Sequence, residues 1–554
     1  MNKKIISILI VFSMSVISVF GQTQGRYANL FSENELRAHV RFLSDDLLEG
    51  RGPGTRGGDL ATKYIAAQLE SYGIKGAGEK GSYFQPVSLV AVKASPSTTL
   101  NVSGNGKNEN FKFADDFVAF TGAQKDDVSL DADLIYVGYG IDAPEQKWDD
   151  FKGNANDYRG KILVMMVNDP PATEGEPNLF GGKALTYYGR WTYKFEQAAR
   201  MGAAGVILIH TDESAGYPWQ VVRTSNGSWR YDIARGNGDK TPFLQMRSWM
   251  TNDTAKKIFS MAGKDLDKLR NDAKSRDFQP VNLGLKAKID IKSELRRVEA
   301  PNVVGIWPGS DSSIKSEYVV YTAHWDHLGI GAPNAKGDTI YNGALDNASG
   351  VAQILAIAKA FTKLPKSEQP KRSQVFVFTT AEEQGLLGAE WYSRHPLFPL
   401  EKTAANINID GGNFYGLTRD YGALGAERSN LQDVVNGVLK ERKMTFLPDS
   451  HPEQGYFFRS DHFPFAKVGV PSLSIRSGDD YVGKPKDWSK KFFEEYNSKN
   501  YHQPSDEFDE TWRYDGMIQS LDISMAIGIS VSNARNLPAF NQTDEFARAQ
   551  PNRK

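Results

Sequence analysis

The sequence predicts an α/β fold, in which helices cover both faces of a sheet, interrupted by a smaller β-rich insert. From about residue 301 onward, helical patterns alternate with short apolar strand signals at residues 318–323, 375–380, 406–410 and 472–475. This alternation is typical of α/β sheets. Between about 115 and 290, short strand signals are instead separated by Gly, Asp, Asn and Pro, which indicates a second, β-rich unit.

Residues 22–114 carry helix signals and are predicted to form the N-terminal part of the main domain. Ser32 and Glu35 have the spacing of a capping box at the start of a helix. A second helix is predicted over residues 58–72, with Gly73 at the position where helices commonly end in a left-handed residue.

The insert is predicted to span residues 115–295. A helix and three strands are expected in it, at residues 193–201, 134–137, 162–167 and 205–209. The charged segment 286–298 is interpreted as the connection back to the main domain, which then occupies residues 296–540. A polar tail is predicted for residues 541–554.

Composition excludes several classes of protein. The chain has 554 residues, 66 Lys and Arg against 67 Asp and Glu, and no cysteine. The near-zero net charge gives no electrostatic footprint for nucleic acid or for an anionic membrane. Without cysteine, the protein cannot use disulfides, zinc–thiolate sites or a cysteine nucleophile.

The first residues resemble a secretory signal peptide over residues 1–21. Lys3 and Lys4 precede an apolar run over residues 5–20, which is short for a membrane span of about 20 residues. We therefore expect an exported protein, periplasmic or extracellular, that is not attached to a membrane after cleavage.

Polar side chains follow the predicted strands at the points where they end. His324 and Asp326 follow the strand at 318–323, Glu382 and Glu383 follow the strand at 375–380, and Asp410 ends the next one. In open α/β sheets, ligands bind beyond the carboxyl ends of the strands. The sequence therefore predicts that these groups meet at one edge of the sheet.

Two further motifs contribute Asp346, at the start of a helix, and His502, in a late loop. Imidazole and carboxylate groups without thiolates form a ligand set for Zn²⁺, Mn²⁺ or Co²⁺. Several carboxylates in one cleft would repel each other unless cations neutralised them. Two metal ions bridged by one carboxylate would do so, and would make hydroxide available near neutral pH.

On these residues the sequence resembles co-catalytic two-zinc aminopeptidases of the bacterial leucyl aminopeptidase and glutamate carboxypeptidase type, a family that includes transferrin-receptor-like proteins. The matching motifs are Thr322-Ala323-His324-Trp325-Asp326, Gly343-Ala344-Leu345-Asp346-Asn347-Ala348-Ser349-Gly350, Thr380-Ala381-Glu382-Glu383-Gln384-Gly385, Asn408-Ile409-Asp410 and Tyr501-His502-Gln503-Pro504-Ser505-Asp506. The resemblance extends to Leu48-Glu49-Gly50-Arg51 and implies a mixed twisted sheet. The insert resembles a protease-associated domain.

The resemblance implies a specific set of roles for two zinc ions, with cobalt or manganese as alternatives. Asp346 would bridge the two ions. His324 and Asp410 would complete one site, and Glu383 and His502 would complete the other.

The same resemblance implies roles around the metals. Glu382 would be the general base, Asp326 would accept the second N–H of His324, and the peptide bond after Asp346 would be cis. Tyr456 and Arg459 are weaker candidates for binding the substrate. Ser460, Asp461 and His462 could suggest a serine triad, but no G-x-S-x-G motif supports one.

The predicted function is that of a metallo-aminopeptidase acting on a peptide substrate. A carboxypeptidase or dipeptidase remains open, because Arg459 and Arg476 could bind a terminal carboxylate. A one-zinc glutaminyl cyclase and a non-catalytic receptor-like protein are further alternatives. The sequence does not predict the side-chain preference, the metal used in the cell, the role of the insert or the oligomeric state.

Overall fold

The computed structural model describes residues 25–215, 218–227, 229–236 and 238–550. The predicted signal peptide lies outside the described residues. Two large sheets organise the chain. We call residues 25–87 and 300–537 the first lobe, and residues 88–299 the second lobe.

The sheet of the first lobe has nine strands and is mixed, as expected. In order across the sheet the strands are Lys75–Gly76, Asn302–Trp307, Ser373–Thr379, Tyr318–His324, Thr403–Ile409, Ser472–Ser477, Asp420–Leu424 and Thr445–Leu447, with Phe84–Gln85 beside Asn302–Trp307. The four central strands, which include all four predicted from the sequence, run parallel. Their carboxyl ends therefore lie along one edge.

Helices cover both faces of this sheet, which confirms the predicted fold class. Val320 and Tyr321 are neighbours in one strand, and their side chains lie on opposite faces. Tyr321 packs in the core beneath helices Ser349–Lys363 and Asp515–Asn533, whereas Val320 packs with residues of Leu387–Arg394 and His462–Lys467. The remaining helices of the first lobe are Glu33–Leu43, Arg56–Ser71, Leu431–Glu441 and Trp488–Lys499.

The two N-terminal helices form where the sequence predicts them, with one difference. The Ser32 hydroxyl accepts a hydrogen bond from the backbone N–H of Glu35 at 3.4 Å. The Glu35 carboxylate, however, accepts hydrogen bonds from Lys359 at 3.0 Å and Tyr72 at 3.1 Å. Only this half of the capping box is seen, because the tertiary partners use the Glu35 carboxylate. Gly73 has a φ of +78°, as expected for a residue that ends a helix.

The second sheet begins earlier than predicted, and this corrects the boundary at residues 114 and 115. Its ten strands are Arg230–Ile233, Ser88–Ala94, Val281–Glu299, Asp127–Tyr136, Ile162–Met166, Gly205–His210, Met246–Thr251 and Phe117–Thr121 in order, with Thr99–Gly104 and Lys107–Phe111 alongside. Helices of this lobe are Trp191–Arg200, Asp212–Ala215, Trp219–Gly227, Asn252–Met261 and Leu266–Asp272. Short two-stranded sheets, Asp142–Ala143 with Trp148–Asp149 and Gly329–Ile330 with Ile340–Tyr341, complete the β structure. Whether this lobe is a protease-associated domain stays a prediction.

The charged segment 286–298 leads back to the first lobe, as expected, and it does so as part of a strand. It belongs to the 19-residue strand Val281–Glu299, which pairs with three neighbouring strands. Buried Ala287, Ile289 and Ile291 alternate with charged residues that face solvent. The high charge therefore reflects the outer face of a half-buried strand.

The described part of the predicted polar tail, residues 541–550, is mostly polar and exposed or half-buried, but it includes one buried aromatic residue. Residues 541–550 pack against both lobes, and Phe546 is only 4% exposed. Its aromatic neighbours, described below, explain the burial. Within the described residues, no helix combines the length and apolarity that a bilayer span requires.

Candidate metal centre

The parallel strands of the first lobe bring the candidate ligands to one edge of the sheet. His324 is the last residue of its strand, Glu382 and Glu383 follow the neighbouring strand, and Asp410 directly follows the strand on the other side. The register pairs His324 with Thr379 across the first of these strand pairs. The topology therefore places four of the predicted side chains together.

Asp346 lies between two imidazole rings. Its Oδ1 atom is 3.2 Å from Nε2 of His324, and its Oδ2 atom is 3.3 Å from Nε2 of His502. The peptide bond between Asp346 and Asn347 is cis, as the sequence resemblance implies. One carboxylate thus faces two histidines with a different oxygen each, which is the arrangement of a bridging ligand.

Each histidine has a second carboxylate beside it. Nε2 of His324 is 3.2 Å from Oδ1 of Asp410, and Nε2 of His502 is 3.0 Å from Oε2 of Glu383. Zinc bonds of about 2.0–2.2 Å at tetrahedral angles separate ligand atoms by roughly 3.4 Å. Nε2 of His502 is buried and has no hydrogen-bond partner within the described part of the chain. The donor atoms and their spacing therefore fit two divalent ions.

The electrostatics of the cluster favour positive charge. Burial by itself would lower the pKa of His324, but Glu382, Asp410 and Asp346 together hold it well above the usual value. Burial also acts to lower the pKa of His502, but Glu383 and Asp346 raise this pKa to about 10. Such a cluster retains protons strongly, and divalent cations would compete with these protons for the same nitrogen and oxygen atoms.

Glu382 lies beside the two groups of ligands and lines the cavity described below. Burial raises its pKa well above the usual value, with contributions from Asp410, Glu383 and Asp461 that His324 opposes. The structure therefore places a carboxyl group next to the candidate ligands, on the wall of the cavity.

Asp326 does not have the predicted contact with His324, and this role is corrected. Nδ1 of His324 is 3.1 Å from the backbone carbonyl oxygen of Asp326, whereas the carboxylate is 3.9 Å away. The backbone path after His324 brings the carbonyl group two residues later against the ring. The Asp326 carboxylate instead accepts the backbone N–H of Glu382 at 3.2 Å, and burial raises its pKa to about 7.

A cavity of about 1750 Å³ opens in front of the cluster. Both lobes line it, the second lobe with residues that include Arg230 and Tyr231. Tyr456 and Arg459 also line it, and the Arg459 guanidinium lies 4.9 Å from the centre of the Tyr456 ring. Arg476 lies 5.7 Å from the same ring. A role for these residues in substrate binding stays a prediction.

Comparison with known proteins agrees with this geometry. Residues 302–526 match the model of peptidase family M28. This segment belongs to that family. The M28 segment begins with the strand Asn302–Trp307 and contains all seven predicted metal-site and catalytic residues, which are His324, Asp326, Asp346, Glu382, Glu383, Asp410 and His502.

Two relatives are similar over part of this chain. A vacuolar membrane protease of Ajellomyces capsulatus (strain H143) is 27% identical over 225 residues, which cover 35% of this chain and 23% of that protein. The aminopeptidase NAALADL1 of Mus musculus is 31% identical over 138 residues, which cover 24% of this chain and 17% of that protein. The chain thus matches less than a quarter of the length of either relative.

Solved structures give matches over most of the chain. An aminopeptidase from Aneurinibacillus sp. strain AM-1 is 18% identical with a TM-score of 0.49, and the match covers 91% of this chain and 95% of that one. A zinc aminopeptidase from Bacillus subtilis is 20% identical with a TM-score of 0.39, with coverages of 89% and 94%.

Within the M28 segment, several residues support the candidate ligands, and the roles of Asp506 and Ser460 were not predicted from the sequence. Asp506 accepts hydrogen bonds from the backbone N–H groups of Leu345 and Asp346, both at 3.0 Å. The Ser460 hydroxyl donates to Oδ2 of Asp410 at 2.6 Å, and Nδ1 of His327 lies 2.6 Å from Oε1 of Glu383. Asp506 belongs to a recognised motif and His327 adjoins one, which was the available signal for these two residues.

Arg51 supports the site from outside the M28 segment. Its buried guanidinium donates to the carbonyl oxygens of Trp325 at 2.8 Å and Gly343 at 3.0 Å, and to those of Leu43 and Asn342 at 2.5 Å. One side chain therefore ties the loop after His324 to the loop before Asp346. The Leu48-Glu49-Gly50-Arg51 motif was the only sequence signal for this role.

Proposed function

We propose that the protein is a zinc-dependent exopeptidase, and specifically an aminopeptidase that hydrolyses the N-terminal peptide bond of its substrate. The observation that carries the proposal is the position of Asp346 between His324 and His502, with Glu382 alongside in a cavity large enough for a peptide. Membership of the M28 segment in a peptidase family supports the same reaction class.

Two groups of side chains would each hold one metal ion, and they would share Asp346. His324, Asp346 and Asp410 would hold one ion, and His502, Asp346 and Glu383 the other. When bound, the ions would supply Lewis-acid catalysis by polarising the scissile carbonyl group and acidifying a water molecule.

Glu382 accepts a proton from the attacking water and returns it to the leaving amine, which is general acid–base catalysis. Asp326 supports this step by accepting the backbone N–H of Glu382. Tyr456, on the cavity wall, is positioned to contact the substrate.

The second candidate is a carboxypeptidase or dipeptidase acting at the same centre. It is favoured by Arg459 and Arg476, which lie against the Tyr456 ring on the cavity wall and could bind a terminal carboxylate. A one-zinc glutaminyl cyclase and a non-catalytic receptor are less favoured, because candidate ligands for both ions and a candidate general base are present.

One set of peptides tests the direction of cleavage. The purified chain without residues 1–21 is supplied with zinc and given a tripeptide as the free form, the N-acetyl form and the C-terminal amide. An aminopeptidase cleaves the free and amide forms, whereas a carboxypeptidase cleaves the free and N-acetyl forms. No cleavage of any form by a zinc-loaded, folded chain would refute the proposal.

Metal content separates the remaining alternatives. We expect two zinc ions per chain by elemental analysis after dialysis, whereas one ion together with cyclisation of an N-terminal glutamine would identify a cyclase. We also propose export, on the strength of the signal-peptide pattern in residues 1–21. N-terminal sequencing of protein secreted by a bacterial host should find Gln22 as the first residue.

A further inference from the structure

The chain continues past its last long helix and crosses both lobes. We call residues 538–550 the C-terminal strap. Phe540 forms a β-bridge with Ser429, and the backbone N–H of Asn541 donates to the carbonyl oxygen of Arg428 at 2.9 Å. A Cβ atom on Gly469 would lie only 2.2 Å from the carbonyl oxygen of Ala549. The strap therefore fits closely against the first lobe.

Glu545 joins the two lobes through its two carboxylate oxygens. Oε1 accepts from the Arg428 guanidinium of the first lobe at 3.0 Å. Oε2 accepts from the backbone N–H of Tyr187 in the second lobe, also at 3.0 Å. Asp544 accepts from the same Arg428 nitrogen at 2.9 Å. Charge-assisted hydrogen bonds of this kind are stronger than neutral ones, and those of Glu545 are buried.

Phe546 adds an apolar contact between the lobes. Its ring centre is 6.1 Å from those of Phe457 and Phe463 in the first lobe and 6.4 Å from that of Tyr187 in the second. The Arg428 guanidinium lies 5.4 Å from the same ring. Aromatic and cation–π contacts together therefore close the junction at which the strap, Arg428 and the two lobes meet.

Arg428 connects this junction to the metal centre. Its guanidinium lies 4.5 Å from the Phe457 ring and 5.6 Å from the Phe458 ring. Two residues after Phe458, the Ser460 hydroxyl donates to Oδ2 of Asp410, whose other oxygen faces His324. A continuous series of contacts thus runs from Glu545 through Arg428 and the 456–460 loop to a candidate zinc ligand.

We propose that the C-terminal strap and Arg428 are positioning elements for the metal centre. By holding Arg428 against Phe457 and Phe458, the strap fixes the loop from which Ser460 orients Asp410. The inference rests on the proposed function for the identity of the metal, but it concerns residues that touch neither the metal nor the substrate. A strap that only stabilises the fold would leave zinc affinity unchanged in a folded variant.

The test uses point variants of the full mature chain. Arg428→Met removes the charge and the planar group, and Arg428→Lys retains the charge. Arg276→Met is the matched control, because Arg276 pairs with Glu176 and lies 5.4 Å from the Trp148 ring, entirely within the second lobe. Zinc affinity is measured by competition with a chromophoric chelator, and hydrogen exchange is measured for residues 456–463.

We expect Arg428→Met to weaken zinc binding at one of the two sites by roughly tenfold or more, the size typical of residues that orient metal ligands. Exchange should rise at residues 456–463 beyond any rise elsewhere, with partial recovery in Arg428→Lys. Arg276→Met should change neither quantity.

A double-mutant cycle tests the proposed route through Ser460. If Arg428 acts through Ser460, the effects of Arg428→Met and Ser460→Ala on zinc affinity will not add. Additive effects, unchanged zinc affinity in folded Arg428→Met, or a uniform rise in exchange across the chain would each overturn the inference.

If the wild-type chain binds zinc but cleaves no peptide, the proposed function fails while zinc affinity still decides the role of the strap. If the wild-type chain binds no zinc, the hydrogen-exchange pattern at residues 456–463 in Arg428→Met decides the role of the strap.

Discussion

Asp506 accepts a hydrogen bond from the backbone N–H of Asp346 at 3.0 Å. A second bond from Leu345 and a third, from the N–H of Ala344 to the Asp506 carbonyl, fix three successive residues before the cis bond. The loop that carries His502 therefore also sets the backbone position of Asp346, the candidate bridging carboxylate. His502 and Asp506 belong to the same short motif, Tyr501-His502-Gln503-Pro504-Ser505-Asp506.

Replacing Asp506 should weaken metal binding without removing a ligand. We expect Asp506→Ala to lower zinc affinity by about 10- to 100-fold, because the N–H groups of Leu345 and Asp346 lose their acceptor. Chelator competition measures the effect. Asp509→Asn is the control, since the exposed Asp509 carboxylate accepts hydrogen bonds from nearby Thr511 and not from the metal-site loops. Equal zinc affinities for Asp506→Ala and the wild type would contradict the prediction.

Glu382→Gln should abolish most of the peptidase activity while leaving the metals in place. The amide cannot accept the proton, and loss of a general base typically reduces kcat by about 10²- to 10⁴-fold. Steady-state kinetics on a free-amine peptide, together with zinc analysis, measure both effects. Glu441→Gln, at an 81% exposed side chain, is the control. Activity within a factor of two of the wild type would exclude Glu382 as the base.

Arg51→Met should destabilise the fold, because four buried carbonyl oxygens lose their donor at once. Each unsatisfied buried group costs roughly 1–3 kcal/mol, so we expect a loss of at least about 3 kcal/mol in the free energy of unfolding. Urea denaturation measures it. Arg56→Met, at an exposed arginine five residues later, should have little effect. Similar unfolding midpoints for the two variants would show that the hydrogen bonds of Arg51 contribute little to the free energy of unfolding.

Glu35 should contribute stability that depends on pH. The His39 imidazole, 3.7 Å away, lowers the pKa of Glu35 together with hydrogen bonds from Lys359 and Tyr72. Despite the opposing effect of burial, the pKa falls to about 2, from an ordinary value of 4.5. The carboxylate therefore stabilises the fold fully above pH 4.5 and progressively less as the pH falls towards 2.

Glu35→Gln tests this dependence. We expect it to reduce the free energy of unfolding by roughly 1–3 kcal/mol at pH 7 and by much less at pH 3, as measured by urea denaturation at both values. Glu33→Gln, which affects a more exposed pair with Arg37, is the control. A difference between Glu35→Gln and the wild type that does not shrink at pH 3 would contradict the assignment.

The arrangement of the ligands could be predicted because it depends on topology. His324, Glu383 and Asp410 each follow a buried strand, and parallel strands bring their carboxyl ends to the same edge. The supporting residues were harder to predict. Whether Asp326 uses its carboxylate or its carbonyl oxygen depends on the local backbone conformation, which residue types do not specify.

The lobe boundary could not be predicted for a related reason. The strand Ser88–Ala94 pairs with residues some 200 positions later in the chain, and no local pattern indicates that partner. The alternation of Val281–Glu299 was visible in the sequence, but its charged positions suggested a connection. Burial of the alternate residues became evident only with the neighbouring strands in place.

The aromatic junction has a consequence for how the protein is built. Phe457, Phe463 and Phe546 belong to the same buried apolar cluster as Ile207 and Ile289 of the second lobe. Residues 88–299 cut out alone would lack part of their own interior. The second lobe is therefore not a detachable module, and heat should melt the whole chain in a single cooperative step.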